Sequence, residues 1–176
     1  EPVRLPAFDI VFGTGLPDSD ALPVLLFQGI DMLFEHLEHG ALRTPCLKVC
    51  VASWLVDVGI RRGVPPDQLH VVPMGIDHDR YRVTRPLLDR RPTVAMLHST
   101  HPAKGWSVGL EALHEVRRRV PDAHAVVFGT SPPKDPLPDW IEVLVDPPAE
   151  VLVAEVYNRA RVFIQPSDYE GFGFTA

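Results

Sequence analysis

Short apolar runs alternate with segments of helical period along most of the chain, and glycine or proline closes nearly every one. That alternation constrains the fold more than any other feature. Strands that alternate with helices build βαβ units, hence a parallel sheet with helices on both faces. Strand-like runs are expected at Phe8–Phe12, Val24–Phe27, Leu47–Ala52, Leu69–Val72, Thr93–His98, Ala125–Phe128, Ile141–Val145 and Val162–Gln165. Helices are expected between them. One runs over Asp31–His39, capped by Asp31 and ended by Gly40. A second is capped by Ser53 and stops near Arg62, before Gly63. A third runs over Gly105–Val120, with Trp106, Gly109, Leu110, Leu113, Val116 and Val120 on one face. A fourth runs over Ala149–Ala160. Residues 77–92 are arginine-rich, hold Pro86 and Pro92, show little periodicity and read as a connector.

Composition narrows the class. In 176 residues, 45 % are apolar and 23 % charged, so a core can form and a disordered tail is excluded. The 19 prolines stand singly or in pairs between apolar runs, as loop punctuation. No apolar stretch reaches the roughly 18–20 residues of a membrane helix. Glu1-Pro2 opens no charged-then-apolar leader, so secretion is not expected. Cys46 and Cys50 are too few for a disulfide framework and make a poor zinc site. They read as small apolar residues in or before a strand, consistent with a cytoplasmic location.

The net charge of −6 argues against a nucleic-acid partner. Its distribution is uneven. Residues 1–60 hold 3 basic and 8 acidic side chains, residues 61–119 hold 11 and 6, and residues 120–176 hold 3 and 9. The basic middle favours an anionic ligand by its field. Most of its arginines nonetheless read as solvated loop and helix-end residues.

In an open parallel sheet, ligands sit at the carboxyl ends of strands, where loops lead into helix N-termini. Two such loops stand out. In His98-Ser99-Thr100-His101-Pro102-Ala103-Lys104-Gly105, a lysine at a helix start opposes the dipole and suits a phosphate. Gly105 would let a ligand approach the backbone. A solvated loop lysine would look the same. In Ser167-Asp168-Tyr169-Glu170-Gly171-Phe172-Gly173, an acid can accept hydroxyl hydrogen bonds and the glycines can form an anion nest. A glycine turn capped by Glu170 is the plainer alternative.

In series, the motifs resemble a family. Val71-Val72-Pro73-Met74-Gly75-Ile76-Asp77, Lys104-Gly105, Gly129, Tyr157–Ser167 and Glu170-Gly171-Phe172-Gly173 stand in the order and spacing of the retaining GT-B glycosyltransferases of family 4. The resemblance is firm over 47–176 and looser over 1–46. It implies a GT-B type α/β fold, mostly the Rossmann-like parallel-sheet domain of the C-terminal, donor-binding half. Residues 1–72 would be the end of the N-terminal, acceptor-side domain, 73–92 a linker, and 93–176 the nucleotide-sugar domain. Both ends read as cut, so a longer parent is expected and the fragment alone is expected to be inactive.

The resemblance also implies site roles. Lys104 matches the lysine that binds the donor diphosphate. Glu170 matches the first glutamate of the family's Glu-x7-Glu motif, which holds sugar hydroxyls. Gly105, Gly171, Phe172, Gly173, Phe174 and Thr175 match donor-contacting positions, with Ser99 and Thr100 in the phosphate loop. The implied donor is a UDP- or GDP-sugar, with no metal or other cofactor. The implied acceptor is a glycan, a lipid-linked species or a small molecule, in polysaccharide or glycoconjugate synthesis. Peripheral membrane contact would come through the missing domain.

Three departures temper the match. Ser99 stands where the family commonly has an arginine, with His98 and His101 nearby. The second glutamate would fall beyond Ala176, and the first domain's glycine-rich loop and acceptor site are absent. Asp18-Ser19-Asp20 and Asp77-His78-Asp79 spell a metal–diphosphate motif of another fold but sit among turn residues. Gly13-Thr14-Gly15 lacks the third glycine of a dinucleotide loop. A sugar-nucleotide epimerase, phosphorylase or hydrolase, or a non-catalytic nucleotide-binding module, would share most of these features.

Overall fold

The computed structural model describes residues 10–13, 22–29, 42 and 44–175. The strand start at Phe8, the helix over 31–39 and the Thr14-Gly15 and Asp18–Asp20 motifs lie outside the described residues. The chain forms two compact units. The first comprises Glu1–Gly75 with Glu170–Phe172, the second Ile76–Tyr169 with Gly173–Ala176.

The first unit holds a parallel sheet in chain order: β1 (Ile10–Gly13), β2 (Leu22–Phe27), β3 (Leu47–Cys50) and β4 (Leu69–Val71). Helix α1 (Ser53–Arg61) follows β3. Ala52, not Ser53, occupies its N-cap, and no side chain caps it. Leu55 and Val58 of α1 pack on Leu25, Phe27, Cys50 and Leu69. Cys46 and Cys50 are buried and free, and burial pushes the Cys50 thiol up, with Lys48 opposing. The side chain of Lys48 is fully buried, which periodicity did not foretell. Its Nζ donates to the carbonyls of Thr44 and Cys46, both at 2.8 Å, and to Gln68 Oε1 at 3.0 Å. Three good acceptors offset the cost of removing an ammonium from water.

The second unit holds β5 (Thr93–Leu97), β6 (His124–Gly129), β7 (Ile141–Val145) and β8 (Val162–Ile164), all parallel, in the order β7-β6-β5-β8. Alternation along β5 and β6 divides the core into two layers, as a pleated strand must. Val94, Met96, Ala125 and Val127 pack with Leu113 of α2 (Trp106–Arg119). Ala95, Val126 and Phe128 pack with Val156 and Ala160 on the opposite face. Helices therefore cover both faces, as the alternation predicts.

The fourth helix departs from expectation. It is α-helical over Ala149–Val151 and then π-helical over Leu152–Tyr157, together α3. The wider turn ends at Asn158, whose N–H donates to Val153 O, five residues back. The Asn158 side chain is buried and fully used. Its Oδ1 accepts from the N–H groups of Thr84 (2.7 Å) and Arg85 (3.3 Å), and its Nδ2 donates to the carbonyls of Arg82 (3.0 Å) and Val153 (3.1 Å). All four hydrogen-bonding positions of the amide are thus satisfied.

Arg90 is also buried, against the expectation of solvated arginines. Its Nη1 donates to the carbonyls of Tyr157 and Ala160, and its Nε and Nη2 to Arg85 O. The guanidinium thereby satisfies orphan carbonyls at the end of α3, where a cation suits the dipole. Residues 82–90 are thus stitched to the second sheet's helix.

Asn158→Ala should lower the unfolding free energy by about 2–4 kcal/mol, because it strips acceptors and donors from several partly buried backbone groups. Urea denaturation checks this, and a loss under about 1 kcal/mol would contradict the bracket.

Candidate functional site

Strand order places the site. The chain leaves β5, builds β6 and then β7 on one side, and returns to lay β8 on the other. Between β5 and β8 the winding direction reverses, and in open α/β sheets ligands bind at the carboxyl ends of strands at such a point. The loop after β5 is the one that carries Ser99, Thr100, Lys104 and Gly105. The loop after β8 opens the Pro166–Gly173 segment. The loop after β5 and the start of the loop after β8 therefore flank one topological switch point.

The first loop is built locally. After β5, His98 N–H donates to Phe128 O at 2.7 Å, and His101 N–H donates to Ser99 Oγ at 3.2 Å. Pro102–Lys104 form a 3₁₀ turn, then Gly105 turns left-handed, with φ 63° and ψ 33°, as the N-cap of α2. Gly105 has no side chain with which to cap, and the first turn of α2 carries no acid. Its leading N–H groups thus carry the positive end of the dipole without a side-chain acceptor. Lys104, half-buried, stands at that end.

The two loops pack tightly. Asp168 N–H donates to Ala103 O at 2.9 Å. A Cβ at Gly105 would overlap the Pro166 carbonyl, and one at Gly109 would overlap Met96 and the Pro166 ring. Further along, Thr175 Oγ1 donates to Gln165 Oε1 at 2.9 Å, and Gln165 Nε2 lies 3.4 Å from Ser167 Oγ. Gln165 therefore ties both ends of the second loop to the tip of β8. The motif stretch Tyr157–Ser167 contains Gln165 but gives it no role; its signal is a polar residue ending an apolar strand.

Ser99, Thr100, Lys104, Gly105, Gly173, Phe174 and Thr175 belong to the second unit. Glu170, Gly171 and Phe172 group with the first. There Trp54 Nε1 donates to Gly171 O at 3.1 Å, and a Cβ at Gly171 would overlap Gln28 O. Thr100, Phe172 and Phe174 are exposed, and Ser99, Glu170 and Thr175 are half-buried.

The other candidates resolve into structure. Asp77 Oδ1 accepts from the N–H groups of Asp79 and Arg80, both at 3.1 Å, so this Asp-x-Asp forms a turn. Arg118 and Arg119 pair with Glu115 and hold its carboxyl down at about 2. Arg117 Nη1 donates to Ala123 O at 2.6 Å and stacks over Trp140. Much of the basic middle is therefore occupied by helix-end and backbone contacts.

Residues 91–176 match the family described as Glycosyl transferases group 1. No curated protein matches the chain significantly. Among solved structures, the chain is similar to sucrose-phosphate synthase from Thermosynechococcus elongatus, with TM-score 0.67 and 18 % identity over 89 % of this chain and 47 % of that one. It is also similar to Anabaena HepE solved with UDP and glucose, with TM-score 0.66 and 14 % identity over 95 % of this chain and 55 % of that one. A third likeness is TarM, with TM-score 0.64 and 11 % identity over 90 % of this chain and 35 % of that one. The chain thus spans about half or less of the structures it matches. The α/β fold with parallel sheets is that of GT-B glycosyltransferases, as the motifs implied.

Gly105→Ala should cost about 2–3 kcal/mol, from the left-handed backbone plus the overlap with Pro166. Gly63, also left-handed at φ 85° but with open space around its Cβ, supplies the control. Gly63→Ala should cost only about 1 kcal/mol. Thermal unfolding of the two variants measures the difference, and equal losses would remove the close approach as a constraint.

Proposed function

We propose that this chain is a fragment, mostly the donor-binding half, of a retaining, family 4 glycosyltransferase that takes a UDP- or GDP-sugar. The observation that supports the reading is the winding reversal between β5 and β8, whose following loops begin the two motif segments, within the stretch matching Glycosyl transferases group 1. Residues 1–72 belong to the acceptor-side domain, 73–92 link, and 93–176 bind the nucleotide sugar. HepE, solved with UDP and glucose and with UDP-glucose, supports a nucleotide-sugar ligand.

In this reading Lys104 meets the donor diphosphate, with the leading N–H groups of α2 behind it. The charge that develops on the departing diphosphate is stabilised by a preorganised cation and dipole, and the sugar is transferred with retention at the anomeric carbon. Glu170 accepts hydroxyl hydrogen bonds and orients the sugar; it is not a nucleophile. Ser99, Thr100, Gly105, Gly171, Phe172, Gly173, Phe174 and Thr175 line the donor. The reaction needs no metal. The acceptor is a glycan, lipid-linked or small molecule, reached through the rest of a cytoplasmic parent that makes polysaccharide or glycoconjugate. No helix among the described residues is long and apolar enough to cross a membrane.

In the parent protein, Lys104→Ala should weaken binding of UDP- or GDP-sugar by roughly 1.5–3 kcal/mol, the scale of a charged hydrogen bond. Calorimetric titration measures it. Unchanged affinity removes Lys104 from the site, and wild-type binding without any transfer or hydrolysis product favours a non-catalytic nucleotide-binding module.

A further inference from the structure

We infer that His98 is a positioning residue that locks the Lys104 loop to the loop after β6 through one donor, its Nδ1–H. The inference rests on the donor-binding reading above and adds a part that the motifs do not contain.

His98 is the first residue beyond β5 and only 5 % exposed. Its Nδ1 lies 3.0 Å from the carbonyl oxygen of Ser131, in the loop between β6 and β7. A carbonyl can only accept, so Nδ1 carries the proton whether the ring is neutral or cationic. In the neutral ring this fixes the tautomer and leaves the lone pair on Nε2. The backbone of His98 makes the same crossing, because its N–H donates to Phe128 O at 2.7 Å. Its carbonyl lies so close to Gly129 that a Cβ there would overlap it. Side chain and main chain thus clamp one strand end onto its neighbour.

The ring also reaches the other way. It meets Trp106 edge to face, with centroids 4.5 Å apart and planes at 88°. Trp106 is the first residue of α2, two positions after Lys104. One imidazole therefore touches the start of the helix behind Lys104 and the loop beyond Gly129. Moving the ring would shift the turn that sets Lys104 relative to the N–H groups of α2. A cation and a dipole stabilise an anion only when both are already in place, which is why such a brace bears on ligand affinity.

Asparagine and glutamine separate this role from others. The side-chain amide of asparagine can put an N–H near the place of Nδ1, whereas that of glutamine puts one near Nε2. UDP and GDP are titrated into the parent protein, wild type and with His98→Asn, His98→Gln and His98→Ala, with melting temperatures recorded alongside. His98→Asn should hold the dissociation constant of the preferred diphosphate within about 3-fold, while His98→Gln and His98→Ala should raise it about 10-fold or more. A variant that melts at the wild-type temperature yet binds weakly shows positioning rather than loss of fold. If His98→Ala does not fold, the Asn and Gln pair decides.

Wild-type affinity in His98→Ala or His98→Gln overturns the inference. Retention by Gln with loss by Asn also overturns it, since the Nε2 side of the ring would then be what matters. Wild-type protein that binds neither UDP nor GDP defeats the donor reading itself, and with it any coupling of His98 to a donor. Binding by wild type with indifference to all three substitutions defeats only the role of His98.

Discussion

The approach of the Gly105 backbone to the Pro166 carbonyl governs the carboxyl end of the second sheet. Only hydrogen fits in the gap. Because it fits, the loop after β5 and the loop after β8 lie side by side, and Asp168 N–H can reach Ala103 O. The same glycine must be left-handed to turn the chain from the 3₁₀ segment into α2. One residue therefore meets two demands, a positive φ and a missing Cβ, and either alone would favour glycine. The topology supplies the rest. Placing β8 beside β5 puts the two loops on opposite sides of a winding reversal, where an open α/β sheet has room for a ligand.

Much of the architecture was legible in the sequence because its signals are local. Thr93–Leu97, Leu69–Val71 and Ile141–Val145 are bounded apolar runs, and each is a strand close to its expected limits. Helix α2 likewise follows from the spacing of Gly109 and Leu113, both buried. The misses have several causes. Ser53 has the chemistry of a cap, yet the chain enters α1 one residue early and Ala52 takes the place. Apolar periodicity over 149–160 foretells a helix but not its π-helical half, which ends at Asn158 and its bonds to residues 82–85. Lys48 and Arg90 read as solvent-seeking by type. Arg90 is buried because the carbonyls of Tyr157 and Ala160 reach it from the far end of the unit, while Lys48 turns back onto the nearby carbonyls of Thr44 and Cys46 and takes only Gln68 from farther along the chain.

The same point revises the meaning of the basic segment. Counted by sequence, residues 61–119 form a positive stretch suited to an anion. Counted by contact, Arg90 and Arg117 serve backbone carbonyls, while Arg118 and Arg119 share Glu115. A guanidinium already donating to carbonyls keeps its charge but has spent the directional donors that would grip a phosphate. The segment's surplus charge is thus a weaker guide to the site than the strand order is.

Lys104 stands differently. It adjoins a helix start with no side-chain cap and no acid in the first turn, so charge and dipole have the same sign at one place. For folding alone that is unfavourable, since a cation near the N-terminus opposes the dipole. An acid in the first turn of α2 would suit the dipole better than the lysine beside it does. A carboxylate there would also repel an anion. In the proposed donor reading, the arrangement gives up some helix stability where an acid would repel a phosphate. In that reading, Ser99 in place of a second cation makes the geometry of Lys104 matter more. One ammonium and one helix end would then hold the charge with no second arginine to absorb a displacement of the turn, and the contacts that His98 makes with Ser131, Gly129 and Trp106 bear on that turn.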